Sequence, residues 1–307
     1  MKIASLLPSA TEIAFSLGLG DQVVAVSHEC DYPPEATNRP VLTKSAIHHK
    51  THQSIAVDRE VEERGGDIYE IDEKLLGKLQ PDLILTQELC NVCAVSYTKV
   101  KEAARILDAD TKIVSLEPCS LEDIVDNILL VGQMTGREAR ARELGSSLLS
   151  RIDRVKKKTR DVKHRPRVFF MEWLQPPWAG GHWMPEMVDY AGGFEGLGRN
   201  GQPSHRVEWS EVLDYHPEMI ILSPCGFDVD GVMNELHVLS SYTGWDRIPA
   251  FKSSQIYAVN ASAYFARPGP RIVDGLELLA QLVHPELFSG EPLVKDARRV
   301  NLEFLRA

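Results

Sequence analysis

A length of 307 residues is enough for two ordinary α/β domains, and 43% hydrophobic with 25% charged residues is the composition of a globular chain. The formal net charge of −10 argues against a nucleic-acid partner, because phosphate binding needs a concentrated positive surface; the one dense basic stretch, Lys156 to Arg167, reads as a solvated helix face and linker. No apolar run approaches the roughly 20 residues that span a bilayer, so no membrane insertion is expected.

The first strand begins almost at Met1, with Lys2-Ile3-Ala4-Ser5-Leu6-Leu7 running into a helix at Thr11-Glu12-Ile13. No basic-then-apolar leader precedes it, so the chain reads as cytoplasmic, or as periplasmic or cell-surface if a leader has been removed. Five cysteines, an odd number, suit a reducing compartment better than a disulfide framework. β-Branched runs follow at Val23 to Ser27, Asp82 to Thr86 and Lys112 to Leu116, interleaved with helical patterns near Thr11 to Leu17, Glu73 to Leu79 and Tyr97 to Leu107. Such alternation predicts a parallel sheet flanked by helices. From Leu121 to about Val162 the period becomes helical, with Ile124, Ile128 and Val131 and then Leu144, Leu148, Ile152 and Val155 in phase, and Gly136 divides the stretch. A second series then runs through strand Arg167 to Trp173, helix Met184 to Ala191, strands Met219 to Ser223 and Gln255 to Val259, and helix Arg271 to Leu282. The expected fold is α/β: two Rossmann-like lobes with parallel sheets joined by a single long backbone helix. The lobes are residues 1–120 and 166–307, and the connecting helical segment is 121–165.

The order and spacing of several motifs resemble the substrate-binding proteins of cobalamin and siderophore importers, the helical-backbone class of periplasmic binding proteins, with the cobalamin-binding branch nearest. The motifs are Ser5-Leu6-Leu7-Pro8-Ser9-Ala10-Thr11-Glu12, Leu79-Gln80-Pro81-Asp82-Leu83-Ile84-Leu85, Pro176-Pro177-Trp178-Ala179-Gly180-Gly181, Ala191-Gly192-Gly193 and Tyr264-Phe265-Ala266-Arg267-Pro268-Gly269-Pro270-Arg271. The resemblance covers residues 1 to 284. It implies non-enzymatic binding of a corrinoid or related metal chelate between two lobes, and an ABC permease as partner. It also implies an acidic docking residue on each lobe. The matching first-lobe position is Lys74, beside Glu73, and the second-lobe position is Ser210 or Glu211. A lysine facing permease arginines would repel them.

In open parallel sheets, ligands sit beyond the carboxyl ends of the strands. Those ends here carry Pro8 and Ser9, His28, Glu29 and Cys30, Glu88, Glu117 and Cys119, Trp173, and Pro224 and Cys225; Cys90 and Cys93 follow closely behind the central strand. The cysteines have three readings: small buried side chains, a zinc or other soft-metal site using Cys30, Cys90, Cys93 and Cys119, or thiol redox chemistry at Cys90 and Cys93. Trp173, Trp178 and Trp183 crowd a proline- and glycine-rich loop, and flat aromatic faces suit a corrin or porphyrin, although tryptophans also plug cores. His182 in that loop could ligate a central cobalt or iron. Tyr264, Phe265 and Arg267 follow the last strand, and Lys44 and Ser45, with His48, His49 and His52, form a polar loop suited to covering a ligand. Enzyme signatures are absent: there is no Gly-x-Ser-x-Gly, phosphate-binding glycine loop or His-Glu-x-x-His. The alternative to a corrinoid binder is a cytoplasmic metal- or thiol-dependent protein built on the cysteine set.

Overall fold

The computed structural model describes residues 1–47, 53–66, 68–88, 97–107, 110–288 and 296–301. The chain divides into two compact units, the first made of residues 1–50, 59–118 and 122–147, the second of 51–58, 119–121 and 148–307.

The N-terminal unit is built on strands β1 (Ile3–Ser5), β2 (Val23–Val26), β5 (Leu83–Thr86) and β6 (Lys112–Ser115), hydrogen-bonded in the order β2-β1-β5-β6. All three pairings are parallel, so the four carboxyl ends share one edge of the sheet. Ile3 and Ala4 of β1 and Leu83, Ile84 and Leu85 of β5 are fully buried, the near-continuous apolar pattern of strands covered on both faces. Helix α1 (Pro8–Ser16) starts at once after β1, with Pro8 in its first turn, where a missing N–H costs nothing. A separate antiparallel pair, β3 (Thr43–Ser45) with β4 (Tyr69–Ile71), brackets helix α2 (Ser54–Glu63) in sequence. Helix α3 (Glu73–Leu79) is capped by Asp72, whose carboxylate accepts the Leu75 N–H at 2.9 Å. Helix α4 (Tyr97–Ala103) leads on to β6.

The expected helical connection consists of α5 (Leu121–Thr135) and α6 (Glu138–Thr159), broken at Gly136, whose φ of 69° only glycine adopts cheaply. Helix α6 is the longest helix among the described residues: its 22 residues pass from the first unit into the second at residue 148.

The C-terminal unit runs β7 (Val168–Trp173), β8 (Trp178–Ala179), α7 (Met184–Tyr190), β9 (His205–Arg206), α8 (Trp209–Tyr215), β10 (Met219–Leu222), α9 (Val229–Asn234), α10 (His237–Ser240), α11 (Pro249–Lys252), β11 (Ile256–Val259), α12 (Ala261–Tyr264), α13 (Ile272–Val283) and β12 (Ala297–Arg299). Its sheet, β12-β11-β10-β7-β8-β9, has a parallel centre of β11, β10 and β7; β12 on one side and β8 and β9 on the other are antiparallel. The purely parallel sheet expected for this lobe is therefore extended by short antiparallel edges, too brief to leave a period in the sequence. Phe169, Met171, Ile220, Leu222 and Phe251 fill one core. On helix α13, Asp274 and Glu277 hold Arg151, and Glu277 also pairs with Arg154 at 2.5 Å. Among the described residues no helix is long and apolar enough to cross a membrane.

Gly275 of α13 lies directly against the Tyr264 carbonyl of α12, where a Cβ would collide with backbone. Gly275→Ala is expected to cost about 1–3 kcal/mol of stability by forcing the two helices apart, read as a lowered denaturant midpoint with unchanged slope.

Candidate ligand-binding site

In the N-terminal unit the strand ends gather polar residues, but most are engaged locally. Pro8 and Ser9 open α1, with Ser9 buried. Thr11 donates through Oγ1 to Ser5 Oγ at 2.7 Å and to Cys30 Sγ at 3.1 Å, and Ser27 Oγ lies 3.2 Å from the same sulfur. Cys30 is therefore a buried thiol in a hydroxyl network. His28 Nδ1 lies 2.7 Å from Thr43 Oγ1 and its ring packs against Tyr69. Lys44 pairs with Glu70 at 2.8 Å on the exposed face of the β3–β4 pair, and Ser45 Oγ accepts the Ile47 N–H. Glu88 is exposed just beyond β5.

The C-terminal unit holds the more unusual arrangement. Trp173 at the end of β7 pairs in register with Trp178 of β8, and β8 pairs with β9 so that Trp178 faces Arg206 and Ala179 faces His205. The Arg206 guanidinium carbon sits 5.7 Å from the Trp178 ring centroid. Gly181 passes so close to Gln202 and Ser204 that any Cβ would strike their backbone. Its N–H donates to Ser204 Oγ at 3.0 Å, and that hydroxyl in turn donates to Glu172 at 2.7 Å. Burial pushes the Glu172 carboxyl above the ordinary range, and the Ser204 hydrogen bond opposes this. The next residue, His182, is held at φ 49° by its N–H to the Gln202 carbonyl at 2.6 Å and its carbonyl to the Gly201 N–H at 2.9 Å. A non-glycine residue in the left-handed region is strained, and here the two-sided clamp maintains it.

Around this clamp, Trp173 Nε1, Trp178 Nε1, His182 Nε2, His205 Nδ1 and Ser223 Oγ are enclosed without a hydrogen-bond partner. Each such group costs roughly 1–3 kcal/mol, and native folds keep few of them. Burial lowers the pKa of both His182 and His205 from 6.5, with the Arg199 charge adding to the effect at His205, so both imidazoles are neutral at pH 7. A neutral imidazole with an unused ring nitrogen is a metal ligand in waiting.

Other expected site residues are placed differently. Trp183 is buried and donates through Nε1 to the Phe265 carbonyl at 2.9 Å, and Phe265 is wholly enclosed against Phe170. Both side chains are buried, Trp183 at 5% exposure and Phe265 at 0%, where they were expected to face a ligand. Tyr264 and Arg267 are half-buried after β11, with the Tyr264 hydroxyl pushed up to about 12, chiefly by burial and then by Asp296. Cys90, Cys93, His48, His49 and His52 lie outside the described residues. Cys119 and Cys225 are half-buried, and among the described residues no group of three or more His, Cys, Asp or Glu side chains could hold a metal ion, so nothing supports the zinc site. Sequence reasoning missed His205, Arg206 and Ser223. The two-residue β9 is too short for a period, and only the Ser204-His205-Arg206 cluster of side-chain donors hinted at it.

A model of the periplasmic binding protein family matches residues 3–263, and the chain belongs to that family. It is 28% identical over 280 residues to the vitamin B12-binding protein of Vibrio cholerae, covering 90% of this chain and 86% of the relative. It is 26% identical over 298 residues to an ABC transporter substrate-binding lipoprotein of Bacillus subtilis, covering 94% of this chain and 81% of the relative. The solved structure of a periplasmic heme-binding protein from Roseiflexus sp. RS-1 superposes with a TM-score of 0.70 at 19% identity, covering 94% of this chain and 99% of that one, a likeness of fold. The chain is accordingly a binding protein and not an enzyme, and the cytoplasmic thiol-protein alternative falls. The cytoplasmic expectation itself is overturned, since the family is periplasmic and the Bacillus relative is a lipoprotein.

Because His182 and His205 titrate lower in the folded than in the unfolded chain, the unfolded state binds more protons just below pH 6.5. Stability should be full above pH 6.5 and fall as the pH drops below it. In His182→Gln/His205→Gln that part of the fall should vanish, measured by urea unfolding at a series of pH values.

Proposed function

We propose that the protein binds a corrinoid, or a closely related metal-chelating macrocycle such as haem, as the cargo of an ABC importer. The observation that carries this reading is the set of enclosed, unpartnered indole and imidazole nitrogens of Trp173, Trp178, His182 and His205 on one edge of the C-terminal sheet. Indole faces cover a flat macrocycle at low entropic cost, and their N–H groups need acceptors of the kind a corrinoid's peripheral amides or a haem's propionates supply. His182 Nε2, neutral because burial disfavours the imidazolium, suits an axial position on cobalt or iron. Tyr264 and Arg267 follow strand β11, which β10 separates from β7 in the same sheet, and would offer a hydroxyl and a guanidinium for polar contacts. In the N-terminal unit taken by itself, Pro8, Ser9, His28, Lys44, Ser45 and Glu88 are proposed ligand contacts. The relatives named for vitamin B12 binding support a corrinoid first.

An ABC-type permease is the partner this reading requires, in keeping with the Bacillus relative's name. Of the docking positions, Glu73, Lys74 and Ser210 are exposed, while Glu211 is exposed but uses its carboxylate to accept the Glu208 N–H in the capping box of α8.

Titration of the purified protein with cyanocobalamin and, separately, with hemin tests the proposal by calorimetry and visible spectra. At least one should bind with one-to-one stoichiometry. Trp178→Ala should weaken it by about tenfold or more, equivalent to about 1.4 kcal/mol. His182→Ala should shift the visible bands of the bound chelate back toward those of the free one. Failure of both ligands to bind would refute the reading.

A further inference from the structure

The first residues of α2 do not group with the sheet they follow in sequence: residues 51–58 belong to the C-terminal unit. Contacts that hold the described part of this segment there include two through side chains of the C-terminal unit. The Ser54 N–H donates to Glu235 Oε1 at 2.5 Å, with Ser54 wholly enclosed and Glu235 only 3% exposed. Four residues on, Asp58 Oδ2 accepts from Arg206 Nη2 at 2.7 Å. Arg206 is the same guanidinium that lies over the Trp178 ring, one register position from His205.

The chain therefore continues from the segment straight into the candidate site: Asp58 holds Arg206, and Arg206 occupies the indole face. Ser54 Oγ and Glu235 Oε2 are enclosed without partners, so the docked segment shuts polar atoms from water that it does not itself satisfy. Enclosed orphan groups on both sides of a short docked segment mark a state whose cost is relieved on opening, since water or a ligand then reaches them. The guanidinium and a flat ring cannot both cover the same indole face.

We propose that residues 54–58 are a gate over the ligand face of the C-terminal unit, with Asp58 standing in for an acidic group of the cargo on Arg206. Ligand entry displaces the segment. A carboxylate or phosphodiester on the macrocycle takes over the guanidinium, and the Trp178 face is exposed to the ring. This regulation rests on the binding function proposed above, but the gate has a signature without ligand.

Hydroxyl-radical footprinting read by mass spectrometry at Trp178, on the intact ligand-free protein, measures whether the gate is shut. Asp58→Asn is expected to raise Trp178 oxidation severalfold and to speed cyanocobalamin or hemin association severalfold in stopped flow. Glu235→Gln, which weakens the other anchor, should act in the same direction, and circular dichroism confirms that both variants are folded. Hydrogen exchange at residues 54–58 should rise when ligand is added to the wild type. Unchanged Trp178 oxidation in both variants overturns the gate, even if the wild type binds its ligand. Raised oxidation in a protein that binds neither chelate upholds the gate and removes the binding function instead.

Discussion

The close passage of Gly181 over Gln202 and Ser204 is the constraint on which the proposed ligand face depends. No residue with a side chain can stand there without moving backbone. The approach brings the Gly181 N–H to Ser204 and Ser204 to the half-buried Glu172, and it turns the following His182 into a left-handed conformation clamped at both N–H and carbonyl. A histidine fixed by main-chain bonds need not spend its ring nitrogens on positioning. That frees the imidazole for a ligand, and the same contact sets the β8–β9 edge that presents Trp178, His205 and Arg206. The chemistry of the face is thus a by-product of one close approach between two loops.

A binding protein must hold polar groups ready for a guest while remaining folded without one. Here enclosed indole and imidazole nitrogens carry an energetic penalty that a larger apolar core offsets: Phe169, Phe170, Ile220, Ile221, Phe251 and Leu279 are all nearly or wholly buried in the same unit. Fully buried apolar residues lie in the parallel centre of the sheet and in helix α13, and the left-handed His182 lies at the antiparallel margin.

The parallel strands were legible because fully buried strands write uninterrupted β-branched runs, as in Leu83-Ile84-Leu85, and because Pro81-Asp82 marks the entry. The tryptophan loop was legible from its composition. Which of its tryptophans face a guest was not, because burial is decided by distant chain: Trp183 is taken into the core by the Phe265 carbonyl, 82 residues away. The same holds for Phe265, which reads as one of a polar-aromatic run and turns out to be sealed against Phe170. Cys30 looked like a metal ligand by its place after a strand, but its surroundings are hydroxyls contributed by Thr11 and Ser27. The docking of 54–58 left no trace in sequence, since a backbone N–H seeking a carboxylate 181 residues on has no pattern.

Glu195 carries a further consequence. Its carboxylate accepts the N–H groups of Phe170, Leu197 and Gly198, while Phe194 pairs with Val168 through its carbonyl and Gly180 donates to the Phe170 carbonyl. The flank of β7 that β8 leaves uncovered is thereby closed by a side chain acting in place of a strand. The open rims of this sheet are then β9 and β12, two and three residues long. Rims that short offer a neighbouring molecule little template for pairing with this sheet.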